Sequence, residues 1–185
     1  MRKISVSNVG GYQKLMLNNQ FLFQMGTLDQ GFWPDGIYTA PTDAALRYDI
    51  EITKAMGFNM IRKHIKVEPA RWYYWADKLG ILVWQDMPSA NSYPHGGFTP
   101  PPVDRTQFEL ELNRMMDNLH NYPSIVMWVL YNEGQGKYDT VRLTNMIKAK
   151  DSSRLLNPAS GWELFDAGDV RDYHSYPSPS CPASS

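Results

Sequence analysis

The most restrictive feature of this chain is a recurrence. Short apolar runs return four times: "FNMIRKHI" (58–65), "ILVWQD" (81–86), "SIVMWVLYN" (124–132) and "RLLNPAS" (154–160). A strand with one wet face alternates apolar and polar residues, whereas these runs stay apolar at successive positions, as strands covered on both faces do. Helical patterns separate them. Thr42 or Asp43 caps a helix through about Met56, with Leu46, Ile50 and Met56 on its apolar positions and Gly57 as its stop. Pro69 sits at the first turn of "PARWYYWADKLG", which Gly80 closes. Asp104 with Gln107 resembles a capping box, and Phe108, Leu112, Met115 and Leu119 form the stripe behind it. Residues 139–150 make a further helix with Leu143 and Ile147 inward, and 162–167 and "DVRDYHSY" (169–176) read as a short helical piece and a last strand.

Strand–helix alternation implies right-handed crossovers and a parallel sheet, hence an α/β fold. A doubly wound sheet and a (β/α)8 TIM barrel both fit it. Neither GxGxxG nor GxxxxGK[ST] occurs, which counts against the nucleotide-binding doubly wound forms. At the N-terminal end, residues 12–26 read as a β-hairpin turning at Asn18-Asn19, its second arm ending at Gly26. Two glycine- and proline-punctuated stretches, "TLDQGFWPDGIYTAPTD" and 87–103, read as long loops.

The polar residues favour the barrel. Arg62, Asp86, Asn132 with Glu133, Trp162, and His174 with Tyr176 all fall at or just past the C-terminal ends of the strand runs. Any one of these is what a strand end ordinarily carries. Gathered from several strands, they form the pattern of a barrel active site. In "IVMWVLYNEG", a rigid apolar strand would hold a carboxylate at the mouth of a pocket.

Charge and composition exclude other readings. A net charge of −1 gives no reason to expect nucleic acid or an anionic membrane as partner. No stretch approaches the roughly 20 apolar residues of a membrane span. Cys181 is the only cysteine, so no intramolecular disulfide forms. His64, His95, His120 and His174 are scattered without HxH or HExxH spacing, so no metal site is expected. The start "MRKISVSNVGG" lacks the apolar core of a secretory signal, and Met1 reads as an internal methionine of a longer protein, which leaves the compartment open.

"LDQGFWPDGIYTAPTD", "GFNMIRKHIKVEPARWYYWADKLGILVWQDMPS", "YPSIVMWVLYNEG" and "DYHSYPSP" closely resemble the catalytic barrel of glycoside hydrolase family 2, over about residues 12–179. The resemblance implies a retaining β-glycosidase that needs no cofactor and takes a β-linked carbohydrate, a β-galactoside first. It makes Glu133 the general acid/base and Asn132 the partner of the sugar 2-hydroxyl. It makes Arg62 the arginine that orients the nucleophile. His174 and Tyr176 would line the glycone pocket, with Asp86 and Trp162 as its wall or the support behind it. For His64, the cleft and the helix layer stay open, because side chains alternate along a strand. Retaining hydrolysis uses two carboxyl groups about 5–5.5 Å apart, one a nucleophile and the other a proton carrier.

One departure stands out. The family pattern puts the nucleophilic glutamate on a seventh strand, past the last strand seen here. Glu51, Glu68, Glu109 and Glu111 fall in or near helices, and Glu163 follows the wrong strand. A complete barrel takes about 250 residues. The expectation is therefore a single incomplete barrel over 1–185, about strands 1–6. Residues 1–20 would be a leading hairpin or linker from an upstream β-sandwich. Open edges would favour self-association, and the chain alone would not run the double displacement; the alternative reading is a catalytically inactive, carbohydrate-binding barrel fragment.

Overall fold

The computed structural model describes residues 2–89, 103–133, 136–178 and 180. His95, Cys181 and most of the second long loop lie outside the described residues. Two sheets organise the chain. β1 (Ile4–Val9), β2 (Tyr12–Leu17) and β3 (Gln20–Phe21) form a small antiparallel sheet. β4 (Gly26–Asp29), β5 (Met60–Lys63), β6 (Leu82–Asp86), β7 (Ile125–Val129) and β8 (Leu155–Asn157) form a parallel one. The helices α1 (Asp43–Ala55), α2 (Ala70–Leu79), α3 (Arg105–Leu119) and α4 (Thr140–Lys150) fill the four crossovers between them.

The parallel strands lie in chain order, β4-β5-β6-β7-β8. A doubly wound sheet reverses direction partway, whereas a barrel wall winds one way only. The order thus selects the partial TIM barrel. Where β4 meets β5, a Cβ on Gly26 would come within 2.5 Å of the Met60 carbonyl oxygen, so only glycine lets these strands start together.

Apolar residues divide between the two faces of the sheet. Toward the helices, Ile61, Val83, Ile125, Trp128 and Leu156 pack with Ile50, Trp72, Tyr73, Leu112, Leu143 and Ile147. On the other face, Leu82, Trp84, Val126, Met127 and Leu155 receive Ile4, Val6, Leu15 and Leu17 of the small sheet. The pairing slips at this point: Val83 faces Ile125 but Trp84 faces Met127, so Val126 is an extra residue and shares a face with Met127. Arg2 pins the small sheet by donating to the carbonyls of Pro123, Ile125 and Ser153 at 3.0, 2.6 and 2.7 Å.

The N-terminal hairpin differs from its expected form. Asn18 and Asn19 do turn it, both at positive φ, but β3 stops at Phe21 and β4 is a separate strand starting at Gly26. β1 was missed, although Ile4-Ser5-Val6-Ser7 alternates apolar and polar residues as a strand with one wet face does. Its partner lies across the two-residue turn at Gly10-Gly11, φ +65° and +87°.

Local differences also have plain causes. Met56 caps α1 and is exposed, since it lies past the last turn that faces the core. Pro69 is the N-cap of α2 rather than its first residue, so it lies just outside the helix. Asp104 accepts from Gln107 N as expected, but the Gln107 amide donates to Glu111 instead of completing the box. Residues 162–167 form no helix, since six residues leave almost every backbone group without an intrahelical partner. Residues 169–176 are not a laddered strand either. They are tied to β8 by Asp169 N on the Leu156 carbonyl and by carboxylates of Asp169 and Asp172.

Candidate active site

Arg62 lies on β5 facing away from the helices and is buried. An unpaired guanidinium in that position would be costly, and four hydrogen bonds satisfy it. Nε and Nη2 donate to Asp86 Oδ1 and Oδ2 at 2.9 and 2.8 Å. Nη1 donates to Ser160 Oγ at 2.5 Å, and Nη2 also donates to Asn132 Oδ1 at 3.0 Å. The fork of Arg62 thus ties the ends of β5, β6 and β7 to the segment after β8. Burial pushes the Asp86 carboxyl up, while Arg62 pulls it back toward the ionised form.

The backbone beyond β7 is drawn to the same place. Asn132 bridges Ser160 in parallel, Ser160 N donates to Tyr131 O at 2.8 Å, and Glu133 N donates to Ser160 O at 2.6 Å. Glu133 adopts φ +50°, an uncommon conformation for a side-chain-bearing residue. This turn takes its carboxylate out of the sheet plane. Glu133 Oε1 lies 3.0 Å from His174 Nδ1, and the two side chains are 20% and 15% exposed. His174 Nε2 lies 2.8 Å from Ser160 Oγ, which donates to Asp172 Oδ2 at 2.6 Å. Asn157 Nδ2 donates to the same Asp172 oxygen at 2.7 Å.

Aromatic rings border this network. Trp162 and Tyr176 stand edge-on to the His174 ring, with centroids 6.3 and 6.2 Å away, and both are largely exposed. A half-buried carboxyl hydrogen-bonded to an imidazole can hold and release a proton, and exposed rings beside it can stack on an apolar sugar face.

All seven residues expected from the sequence gather here. Arg62, Asp86, Asn132, Glu133 and His174 form one connected network, with Trp162 and Tyr176 at its rim. The open question for His64 resolves toward the same side. Its Nδ1 is 3.1 Å from Gln30 Nε2, burial pushes its imidazolium pKa down, and Asp86, Arg62, Asn132 and Glu133 are its electrostatic neighbours. Lys63, between Arg62 and His64, faces the helices and pairs with Asp29 and Glu68 at 2.5 and 3.0 Å.

Sequence reasoning missed Ser160, Gly161 and Asp172. The only trace of Asp172 was its place two residues before His174. The other glutamates are held elsewhere: Glu51 by Arg47, Glu68 by Lys63 and Lys66, Glu109 by Arg142, Glu111 by Gln107, and Glu163 by Lys137. Among the described residues no cluster of three or more His, Cys, Asp or Glu could hold a metal ion, and no helix is long and apolar enough to cross a membrane.

Comparison with known proteins agrees with the fold. Residues 39–174 match the model of the glycosyl hydrolases family 2, TIM barrel domain. A β-galactosidase of Lactococcus lactis is 28% identical over 166 residues, covering 87% of this chain and 16% of the relative. One of Oenococcus oeni is 30% identical, covering 87% and 15%. The chain thus spans about one-sixth of the length of these relatives. Among solved structures, a β-glucuronidase of Bacteroides uniformis superposes with TM-score 0.65 at 25% identity, over 84% of this chain and 20% of its own. A β-glucuronidase of an uncultured Clostridium shares the fold with TM-score 0.71 at 16% identity, over 92% of this chain and 30% of its own.

Proposed function

Because this chain belongs to glycosyl hydrolase family 2, through that family's TIM barrel domain, we propose that it carries the acid/base half of a retaining β-glycosidase site. The observation that carries this reading is the contact between Glu133 and His174, 3.0 Å apart and joined through Ser160 to Arg62 and Asn132. Glu133 protonates the leaving glycosidic oxygen and later takes a proton from water. Asn132 serves the sugar 2-hydroxyl, where a bond strengthens as positive charge grows at the anomeric carbon. Arg62 and Asp86 fix Asn132, and Trp162, His174 and Tyr176 form the aromatic side of the glycone pocket.

We infer that the nucleophile is none of the other glutamates here; that each is engaged by a partner outside this network supports this reading. We read the partner carboxylate as coming from polypeptide beyond these 185 residues. The sugar is a β-galactoside first, in line with the names of the relatives above. β-Glucuronides and β-mannosides are the next to try. No cofactor takes part. The end strands β4 and β8, with Phe23, Met25 and Leu28 exposed near the first, also favour self-association in the isolated chain.

The purified chain incubated with aryl β-galactoside, β-glucuronide and β-mannoside tests the reading. The expected result is sugar-dependent change of tryptophan emission without release of the aryl group. Turnover that disappears in Glu133→Gln would overturn the external nucleophile. No response to any of the three sugars would overturn the sugar site.

A further inference from the structure

Asp172 touches neither Glu133 nor Arg62, yet it determines how the hydrogens between them are arranged. A serine hydroxyl has one hydrogen to give and two lone pairs to receive with. Ser160 gives its hydrogen to Asp172 Oδ2 at 2.6 Å. One lone pair takes Arg62 Nη1–H at 2.5 Å. The other faces His174 Nε2 at 2.8 Å, and with no hydrogen left on the oxygen to offer, that contact requires the hydrogen to be on Nε2. A neutral imidazole protonated at Nε2 has its lone pair on Nδ1, and Nδ1 faces Glu133 Oε1 at 3.0 Å.

We propose that Asp172 is a positioning residue that acts through Ser160. It locks His174 in the Nε2–H form, so that Nδ1 accepts a hydrogen bond from the protonated Glu133 carboxyl. Glu133 Oε1–H is then aimed and held by Nδ1 until the proton passes to the leaving oxygen. No net proton moves along the chain of bonds, and Asp172, Ser160 and His174 end each cycle as they began. Without the Asp172 carboxylate, the Ser160 hydrogen turns to His174 Nε2. The ring hydrogen then shifts to Nδ1, which donates to Glu133 and can no longer accept a hydrogen bond from its carboxyl. Asp172 is anchored for this role by Asn157 Nδ2, which donates to the same oxygen at 2.7 Å from the end of β8. The proposal rests on Glu133 as the acid/base, but the tautomer itself does not.

Nitrogen-15 NMR of the imidazoles tests the tautomer directly. The chain has four histidines, and the His174 signals are identified by their loss in His174→Asn. The wild-type chain is expected to show a hydrogen on Nε2 of His174. Asp172→Asn, whose amide oxygen can still accept from Ser160 and Asn157, is expected to keep it. Asp172→Ala is expected to move a substantial share of His174 to the Nδ1–H form. A wild-type His174 without hydrogen on Nε2 or with one on Nδ1, or an unchanged tautomer in folded Asp172→Ala, would overturn the proposal. Should Asp172→Ala fail to fold, the wild-type spectrum decides alone. Sugar plays no part in this measurement, so failure of the tautomer and failure of the glycosidase reading are separate results.

Discussion

Gly161 and Glu133 are in close contact: a methyl group added to Gly161 would lie 3.1 Å from Glu133 Cγ and 3.2 Å from its Cα. Gly161 also adopts φ +132°, a conformation that side-chain-bearing residues rarely take. Gly161→Ala therefore strains its own backbone and pushes Glu133 from the turn it occupies. The expected cost is about 1–3 kcal/mol, read as a lowered urea midpoint. His174 should lose its Glu133 contact even in the fraction that stays folded, visible in its imidazole resonances.

Arg62→Met tests the buried pair. The substitution keeps much of the apolar stem but leaves Asp86 buried without its guanidinium partner. Breaking such a pair from one side costs about 3–5 kcal/mol. Replacing both, as Arg62→Met with Asp86→Leu, should recover part of that loss in urea unfolding. A double variant as unstable as the single one would mean that the bonds of Arg62 to Ser160 and Asn132 dominate.

Trp162→Ala and Tyr176→Ala separate stability from binding. Both rings are largely exposed, so each change should leave unfolding within about 0.5 kcal/mol of wild type. Each should weaken sugar binding about five- to tenfold, the equivalent of about 1 kcal/mol per aromatic contact. Titration of sugar by NMR, which does not rely on the removed tryptophan, gives the comparison.

Acid stability should depend on Asp151. Burial opposes its charge, but bonds from Ser153 N and Oγ at 2.9 and 2.7 Å, Arg154 at 2.7 Å and Trp128 Nε1 at 2.9 Å outweigh burial. Together they hold its pKa well below the usual carboxylate range. A carboxyl depressed in the folded state stabilises the fold above its unfolded pKa, about 3.9, and that stability is lost as pH falls below it. Asp151→Asn should lower the melting temperature at pH 7 and flatten its decline between about pH 4 and 2.

The network of the site was legible at its strand ends and, for His174, in the segment "DYHSYPSP". Arg62, Asp86, Asn132 and Glu133 each follow or end an apolar run, so their places could be read from the run itself. Ser160 and Asp172 follow no such rule. They sit in irregular segments where short polar residues are common, and what distinguishes them is which lone pair meets which hydrogen.

By itself, the sequence determined that buried strands would alternate with helices and that a carboxylate, Glu133, would follow the apolar run at 124–132. Apolar periodicity and punctuation are properties of neighbouring residues along the chain. Only the tertiary structure decided that the sheet winds in one direction, that His64 turns inward, and that Asp172 reaches Glu133 through a serine and an imidazole. Those outcomes depend on hydrogen bonds between residues that are distant in sequence, and the chain has to fold before any such bond has a direction.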